Sequence, residues 1–337
     1  MLIEETKIKS AIINLLRSEG VPEITGSTVA DALIWASARG ISSHGIRLLE
    51  HYRHCVQGGR ITTSSDVEFE MSSPTVLKVN CNHSFGHHAG TLAVRKLCEI
   101  AKNQGIAVAS VINSNHCGAM GYYSQLATNQ NMIGIAMTQA TARMPAPQSQ
   151  TKTVGNNPIS FGFPSGGPDP IIFDAAQSKT TFNAVNKAKT EGTLLDDGLI
   201  LDTRGRPTNN PKDADQLVPI GEYKGFGLAM CVDLLTGGLG AQFLGDQITQ
   251  MFDNKFAQHR YLCQFYLVIN PGFFPAGETL AERVTEYVDR IRSQPALSDR
   301  LKVTVPHDPE MEYKKKNEGL IKLSGSELDV LEEFLPT

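Results

Sequence analysis

The sequence predicts an α/β fold, and three observations predict it. Residues 106–112 read Ile-Ala-Val-Ala-Ser-Val-Ile, a continuous run of the kind a strand buried on both faces requires. A stretch suited to a helix, residues 88–104, precedes that run and closes at Gly105. A polar loop, a short helix over residues 122–129 and a second apolar run over residues 133–138 follow it. Helix, strand, loop, helix, strand in succession is the pattern of helices laid on a sheet.

From the N-terminus, Ile8, Ala11, Ile12, Leu15 and Leu16 fall on one face of an amphipathic helix over residues 4–18. Thr25 or Ser27 can cap a second helix running to Ala38, with Val29, Ala30, Leu33 and Ile34 inward. Gly40 ends it, so residues 41–45 form a loop before a third helix over residues 47–56. Strands are expected at residues 75–79, 159–163, 171–174 and 262–269. Residues 187–219 are rich in Gly, Asp, Asn, Thr and Pro and read as mostly loop. A small-residue apolar helix covers residues 225–239. An amphipathic one covers residues 280–293, with Val284, Tyr287, Val288 and Ile291 inward. Residues 311–318 form a charged, solvent-facing tail.

Composition excludes several classes. With 31 Lys+Arg against 35 Asp+Glu the net charge is −4, which argues against a nucleic-acid partner. The longest segment free of Asp, Glu, Lys and Arg, residues 103–142, is broken by Asn, Ser, Gln and His, so no membrane span is expected. Residues 1–20 carry acids and no apolar core, unlike a signal peptide. Six scattered cysteines without a C-x-x-C pair fit reduced thiols and a cytoplasmic location.

Familiar phosphate-binding turns are missing. Gly238-Leu239-Gly240 begins a G-x-G-x-x-G pattern that fails at Phe243, and no P-loop occurs. Histidines say more. His116 lies just past the carboxyl end of the 106–112 strand, the edge where open α/β sheets place ligands. Its imidazole suits proton transfer near neutral pH, although a loop histidine bonded to backbone is the competing reading. His44, in Ser42-Ser43-His44-Gly45, sits between helices, where Ser43 as a helix cap is the plainer reading. His83, His87 and His88 have metal-like spacing but open a helix without a nearby acid or cysteine, so no metal is expected. His51 and His54 read as the solvent side of a helix. Residues 155–158, Gly-Asn-Asn-Pro, form a turn able to present amides. Lys224 at a helix start could hold a phosphate or carboxylate, or be an ordinary surface lysine.

These motifs fall in a fixed order: Ser43-His44-Gly45; Asn113-Ser114-Asn115-His116 with Gly118, Gly121 and Tyr122; Gly155-x-Asn157-Pro158; Phe173-Asp174-x-Ala176-x-Ser178; and Lys224-Gly225-x-Gly227-Leu228 followed by Asp233 and Gly237. Together they resemble the type-2 malate/L-lactate dehydrogenase family. That family includes ureidoglycolate dehydrogenase, sulfolactate dehydrogenase, diketogulonate reductase and piperideine-carboxylate reductase. The resemblance implies a mixed-sheet, non-Rossmann NAD(P)-binding domain with a helical domain built from the N- and C-terminal parts. The expected division is residues 1–72, 73–220 and 221–337. It implies a homodimeric oxidoreductase that moves a hydride between NAD or NADP, NAD being the first choice, and C2 of a small 2-hydroxy or 2-keto acid. His116 and His44 would serve as acid and base. Ser43, Arg47, Tyr52, Thr141 and Arg143 would line the substrate pocket. Ala140, Gly155, Asn157, Pro158, Asp174, Ala175, Ala176, Lys224, Gly225 and Asp308 would hold the cofactor.

The chain departs from the family pattern in three places. Ser-His-Gly-x-x-Arg would put an arginine at position 48, but Leu48 stands there and Arg47 precedes it, about 100° away on a helix. Gln148-Ser149-Gln150 replaces a Gly-Gly, and Pro306-His307-Asp308 replaces Pro-Gly-Glu. The acid group could therefore rest on Arg47, or on Arg143 or Arg260. Ureidoglycolate oxidation and cyclic imine reduction are the alternatives within the family. A non-catalytic binding protein on a decayed dehydrogenase fold is the alternative outside it, with a metal-dependent hydrolase behind that.

Overall fold

Ile8, Ala11, Ile12, Leu15 and Leu16 line the inner face of α1 (Glu5–Ser18) and are fully buried, as their spacing predicts. The structure is a computed structural model that describes residues 1–252 and 256–336. Helix α2 (Glu23–Ala38) packs between α1 and α4 (Gly86–Gln104), which is why small and apolar side chains all round it are buried. It begins earlier than expected. Pro22 in extended conformation starts it with no side-chain cap, and Thr25 is buried inside its first turns. Two 3₁₀ turns, Ser42–His44 and Ile46–Leu48, lead into α3 (Leu49–Gln57).

The main sheet has seven strands. In chain order they are β2 (Glu68–Ser73), β3 (Val76–Asn80), β4 (Ile106–Ser114), β5 (Ile133–Thr138), β8 (Ile159–Phe163), β9 (Ile171–Ala175) and β13 (Leu262–Ile269). Their spatial order is β2-β3-β4-β13-β5-β8-β9, parallel only between β3 and β4, hence a mixed sheet. β13 runs antiparallel between β4 and β5, so these two consecutive strands are not neighbours. α4 and α5 (Met120–Thr128) cover one face through Leu77, Val79, Ala93, Leu97, Ala109, Val111 and Tyr266. α7 (Tyr223–Asp233) covers part of the other through Val232, against Met137 and Ile159.

Smaller pieces complete the chain. β1 (Leu2–Glu4) pairs with β14 (Leu320–Lys322), and α10 (Gly325–Leu331) packs on α1, so the two ends of the chain share one core. A hairpin of β6 (Ala142–Pro145) and β7 (Lys152–Gly155) follows β5. Short strands β10 (Ile200–Leu201), β11 (Pro207–Thr208) and β12 (Gln216–Leu217) form a separate sheet.

Several expectations need correction. α6 (Phe182–Glu191) enters the segment read as loop, started by Thr181, whose Oγ1 accepts the Ala184 N–H at 3.1 Å, and closed by left-handed Gly192. α7 stops at Asp233 and unwinds into a π-turn, Leu234–Gly238. On α8 (Leu280–Arg292), Tyr287 is 59% exposed and Val288 alone is buried. The charged tail is a helix, α9 (Asp308–Asn317), held by buried Met311. Among the described residues, no helix is long and apolar enough to cross a membrane.

Candidate active site

His116 follows the carboxyl end of β4, and the polar residues around it hold the loop in place. Ser114 Oγ accepts from Gln264 Nε2 at 2.6 Å, and Asn115 Nδ2 donates to the His83 carbonyl at 2.8 Å. Gly118 adopts φ +75°, and a Cβ there would press on the His87 imidazole, so glycine is required. His116 Nδ1 lies 2.6 Å from the hydroxyl of Tyr52, which α3 presents from a fully buried position. His44 stands opposite on its 3₁₀ turn, its ring 5.7 Å from that of His116 and 19° from parallel. Ser43 Oγ is 2.9 Å from His44 Nδ1, so Ser43 orients the imidazole. The cap-like bond to the Ile46 amide comes from Ser37 instead. His87 packs edge-on against Tyr52 at 5.0 Å, fully buried, and neither ring nitrogen has a partner among the described residues.

Burial favours the neutral imidazoles. It pushes His44 down to about 4 and His87 to about 3. His116 lies well below its ordinary value through burial, reinforced by the charges of His44, His87 and Arg260. Arg260 is 3% exposed, its Nε bonded to the Thr249 carbonyl at 3.0 Å and an Nη to Thr141 Oγ1 at 2.8 Å. No carboxylate among the described residues forms an ion pair with it, and burial lowers it to about 10. A buried cation without an anion is costly unless something negative joins it.

The other proposed substrate residues diverge. Leu48 is packed in the helical core while Arg47 is exposed, so the one-place shift turns that arginine outward. Arg143 lies with its guanidinium 4.1 Å from the centre of the Phe182 ring. Thr141 is buried beside Arg260. The His83, His87 and His88 cluster disperses. His83 stacks on His259 at 3.8 Å, and His88 Nδ1 meets Thr28 Oγ1 at 3.0 Å. No group of three metal-ligating side chains occurs among the described residues. His51 is not solvent-facing but packs against Phe252 at 4.9 Å, while His54 is exposed.

The residues expected at a cofactor occupy a second zone. A Cβ at Gly155 would collide with the Ala140 carbonyl and Asn157 Oδ1, so the two turns lie in backbone contact. Asn157 is fully buried, accepting the Ala140 N–H at 2.8 Å and donating to the Ala229 carbonyl at 2.9 Å. Its amide therefore ties the 140 turn to α7, with Pro158 following. Asp174 Oδ2 accepts the Gly121 N–H at 2.7 Å, and half-buried Ala175 and Ala176 continue from it. Lys224 is exposed in the first turn of α7, which has no side-chain cap, next to buried Gly225. Asp308 is committed within the chain, to Arg292 at 2.5 Å and the Val305 N–H at 2.9 Å. A cavity of about 630 Å³ opens beside Asp308, lined by Pro170, Val288, Arg292 and Met311, and none of the histidines at positions 44, 87 and 116 borders it.

Sequence reasoning missed His87 as a neighbour of His116, because only the fold brings them together. It offered Arg260 without a reason to prefer it.

Residues 3–332 match the family model described as malate/L-lactate dehydrogenase. L-sulfolactate dehydrogenase of Methanocaldococcus jannaschii is 29% identical over 337 residues, covering 99% of this chain and 96% of its own. A solved structure of sulfolactate dehydrogenase from that organism aligns with a TM-score of 0.91 at 27% identity, covering 99% of this chain and 96% of the other. Ureidoglycolate dehydrogenase (NAD(+)) of Escherichia coli O157:H7 is 29% identical over 286 residues, 85% of this chain and 82% of that one. The (2R)-3-sulfolactate dehydrogenase (NADP(+)) of Chromohalobacter salexigens is 29% identical over 278 residues, 82% and 83% of the two chains.

Proposed function

The chain belongs to the malate/L-lactate dehydrogenase family, and from that premise we propose that it moves a hydride between NAD(P) and C2 of a small 2-hydroxy or 2-keto acid, with His116 and His44 at the substrate oxygen. It is an NAD(P)-dependent dehydrogenase acting on a CH–OH group. One observation carries the substrate reading: two facing imidazoles 5.7 Å apart, with a buried arginine that has no anion among the described residues and whose charge helps keep His116 neutral. A 2-keto acid asks for these two things, a cation for its carboxylate and an N–H for its oxygen. Arg260, steadied by Thr141, is the carboxylate partner in this reading; exposed Arg47 is not.

NAD(P) supplies the hydride when bound. The uncapped amides of α7 beside exposed Lys224 fit the charge of its pyrophosphate. The backbone contact at Gly155 gives the flat turn a dinucleotide can approach. Ala140, Pro158, Asp174, Ala175 and Ala176 would line the rest, and Asn157 and Gly225 would hold the shape. Asp308, already bound to Arg292, would contribute through its loop. In the same reading, residues 73–220 form the cofactor unit, and residues 1–72 with 221–337 supply the helical one. The protein is a cytoplasmic homodimer, for which the exposed apolar residues Tyr223, Met230, Leu234 and Leu239 offer a surface.

The test is oxidation of NADH and NADPH, followed by absorbance, with pyruvate, oxaloacetate, sulfopyruvate and a cyclic imino acid, and the reverse assay with ureidoglycolate. Turnover of a 2-keto acid is expected. Turnover of the imine or ureidoglycolate alone moves the substrate within the family. Reduced-nicotinamide fluorescence that does not change on adding protein, with no turnover, sinks the proposal in favour of a non-catalytic binder.

A further inference from the structure

Two groups converge on one nitrogen of His116. The Tyr52 hydroxyl lies 2.6 Å from Nδ1, and the backbone N–H of Gly118 points at the same atom from 3.4 Å. An amide N–H can only donate, so Nδ1 carries a lone pair. Tyr52 is then a donor as well, and the single proton of a neutral imidazole sits on Nε2. The phenol keeps its proton for this task, because burial raises its pKa well above the ordinary value. The ring stays neutral because burial and the nearby His44, His87 and Arg260 oppose protonation. His44 differs. Among the described residues its Nδ1 meets only the Ser43 hydroxyl, which can donate or accept, and no backbone group there fixes its tautomer.

We infer that Tyr52 is a positioning residue which, with the Gly118 amide, locks His116 as the Nε2–H tautomer, so that the ring meets the substrate oxygen as a donor and the site is set for the carbonyl substrate, that is, for reduction. The inference rests on the reading that His116 faces the substrate oxygen. A preset N–H donor stabilises the negative charge that grows on a carbonyl oxygen as carbon is reduced, without reorganising at that moment; the neutral ring keeps this proton, and the one that completes the alcohol is drawn from solvent by way of His44. The same N–H is poorly placed to take the proton of an alcohol, since Nε2 has no free lone pair. His44, with its unfixed tautomer, remains available for that role.

The first test needs neither substrate nor cofactor. In protein labelled with ¹⁵N-histidine near neutral pH, the His116 signals, assigned by loss in His116→Gln, are expected to show unprotonated Nδ1 and protonated Nε2. A protonated Nδ1 in the wild-type protein overturns the inference, whether or not any variant folds. Tyr52→Phe, checked by its melting temperature, is expected to give tautomer-averaged nitrogen shifts; unchanged shifts also overturn it. With a keto acid that is turned over, Tyr52→Phe is expected to lower reductive kcat about tenfold or more, part of the worth of a preset oxyanion donor, with KM within about twofold. A rise in KM alone overturns the positioning role and makes Tyr52 a substrate-binding residue. If no keto acid is turned over, the 2-keto acid reading fails, and the nitrogen spectrum still decides the tautomer.

Discussion

His44 and His116 face each other with ring centres 5.7 Å apart and planes 19° from parallel, one carried by a 3₁₀ turn after α2 and the other by the loop after β4. The helical part and the sheet thus each contribute one imidazole. A change in how the two parts pack would move the rings relative to each other before it changed either one alone.

Removing the His116 ring removes the donor at the substrate oxygen. His116→Ala is expected to lower kcat about 10²- to 10⁴-fold, while reduced-nicotinamide binding, followed by fluorescence, is retained. Near-wild-type turnover would transfer the proton role to His44.

Arg260 and Arg47 make opposite predictions. Arg260→Lys keeps the charge but loses the planar fork, so KM for the acid should rise about tenfold or more, the worth of one charged hydrogen bond. Arg47→Ala should leave KM within about twofold, because that side chain is exposed. Steady-state kinetics on both variants decides, and a KM effect confined to Arg47→Ala would relocate the carboxylate.

Acid should destabilise the fold through these histidines. His44 is lowered to about 4 and His87 to about 3, below the unfolded value near 6.5. The unfolded chain therefore binds more protons than the native one between those values, and stability falls as pH drops from about 6.5 toward 4. His87→Leu removes one such group, whose nitrogens have no partners among the described residues, so its melting temperature should fall less between pH 7 and pH 5 than the wild type's. Equal falls measured by calorimetry would show that His87 titrates normally.

Asn157 should behave as scaffold. Asn157→Ala leaves the Ala140 amide without its partner, a cost of about 1–3 kcal/mol if it stays buried, and removes the second bond to the Ala229 carbonyl, which keeps its place in the α7 ladder. Melting temperature and cofactor affinity should fall together. Weakened cofactor binding at unchanged melting temperature would instead place the side chain on the ligand.

Much of the fold was legible because its signals are local. The i, i+3, i+4 spacing of α1 and the apolar runs of β4, β5 and β13 are written in consecutive residues. β2 was not legible, since Glu68, Phe69, Glu70, Met71 and Ser72 are all exposed and no buried face stamps a period on them. α6 carries its cap and its closing glycine in plain view, but few apolar residues lie between them. At the site, short motifs pointed to His44, His116 and the 155–158 turn. What they could not give was partnership between distant residues. Thr141 meets Arg260, and Tyr52 meets His116, only because strands and helices far apart in sequence are neighbours in space.

The place of β13 has a consequence for how the chain is made. Until residues 262–269 have left the ribosome, β4 and β5 each lack the partner that fills the gap between them, and the sheet exists as two halves with bare inner edges. Those edges are Ile106–Ser114 and Ile133–Thr138, both rich in apolar residues. Synthesis stalled before position 262 would release a fragment prone to self-association, and completion of a single late strand converts it into one continuous layer.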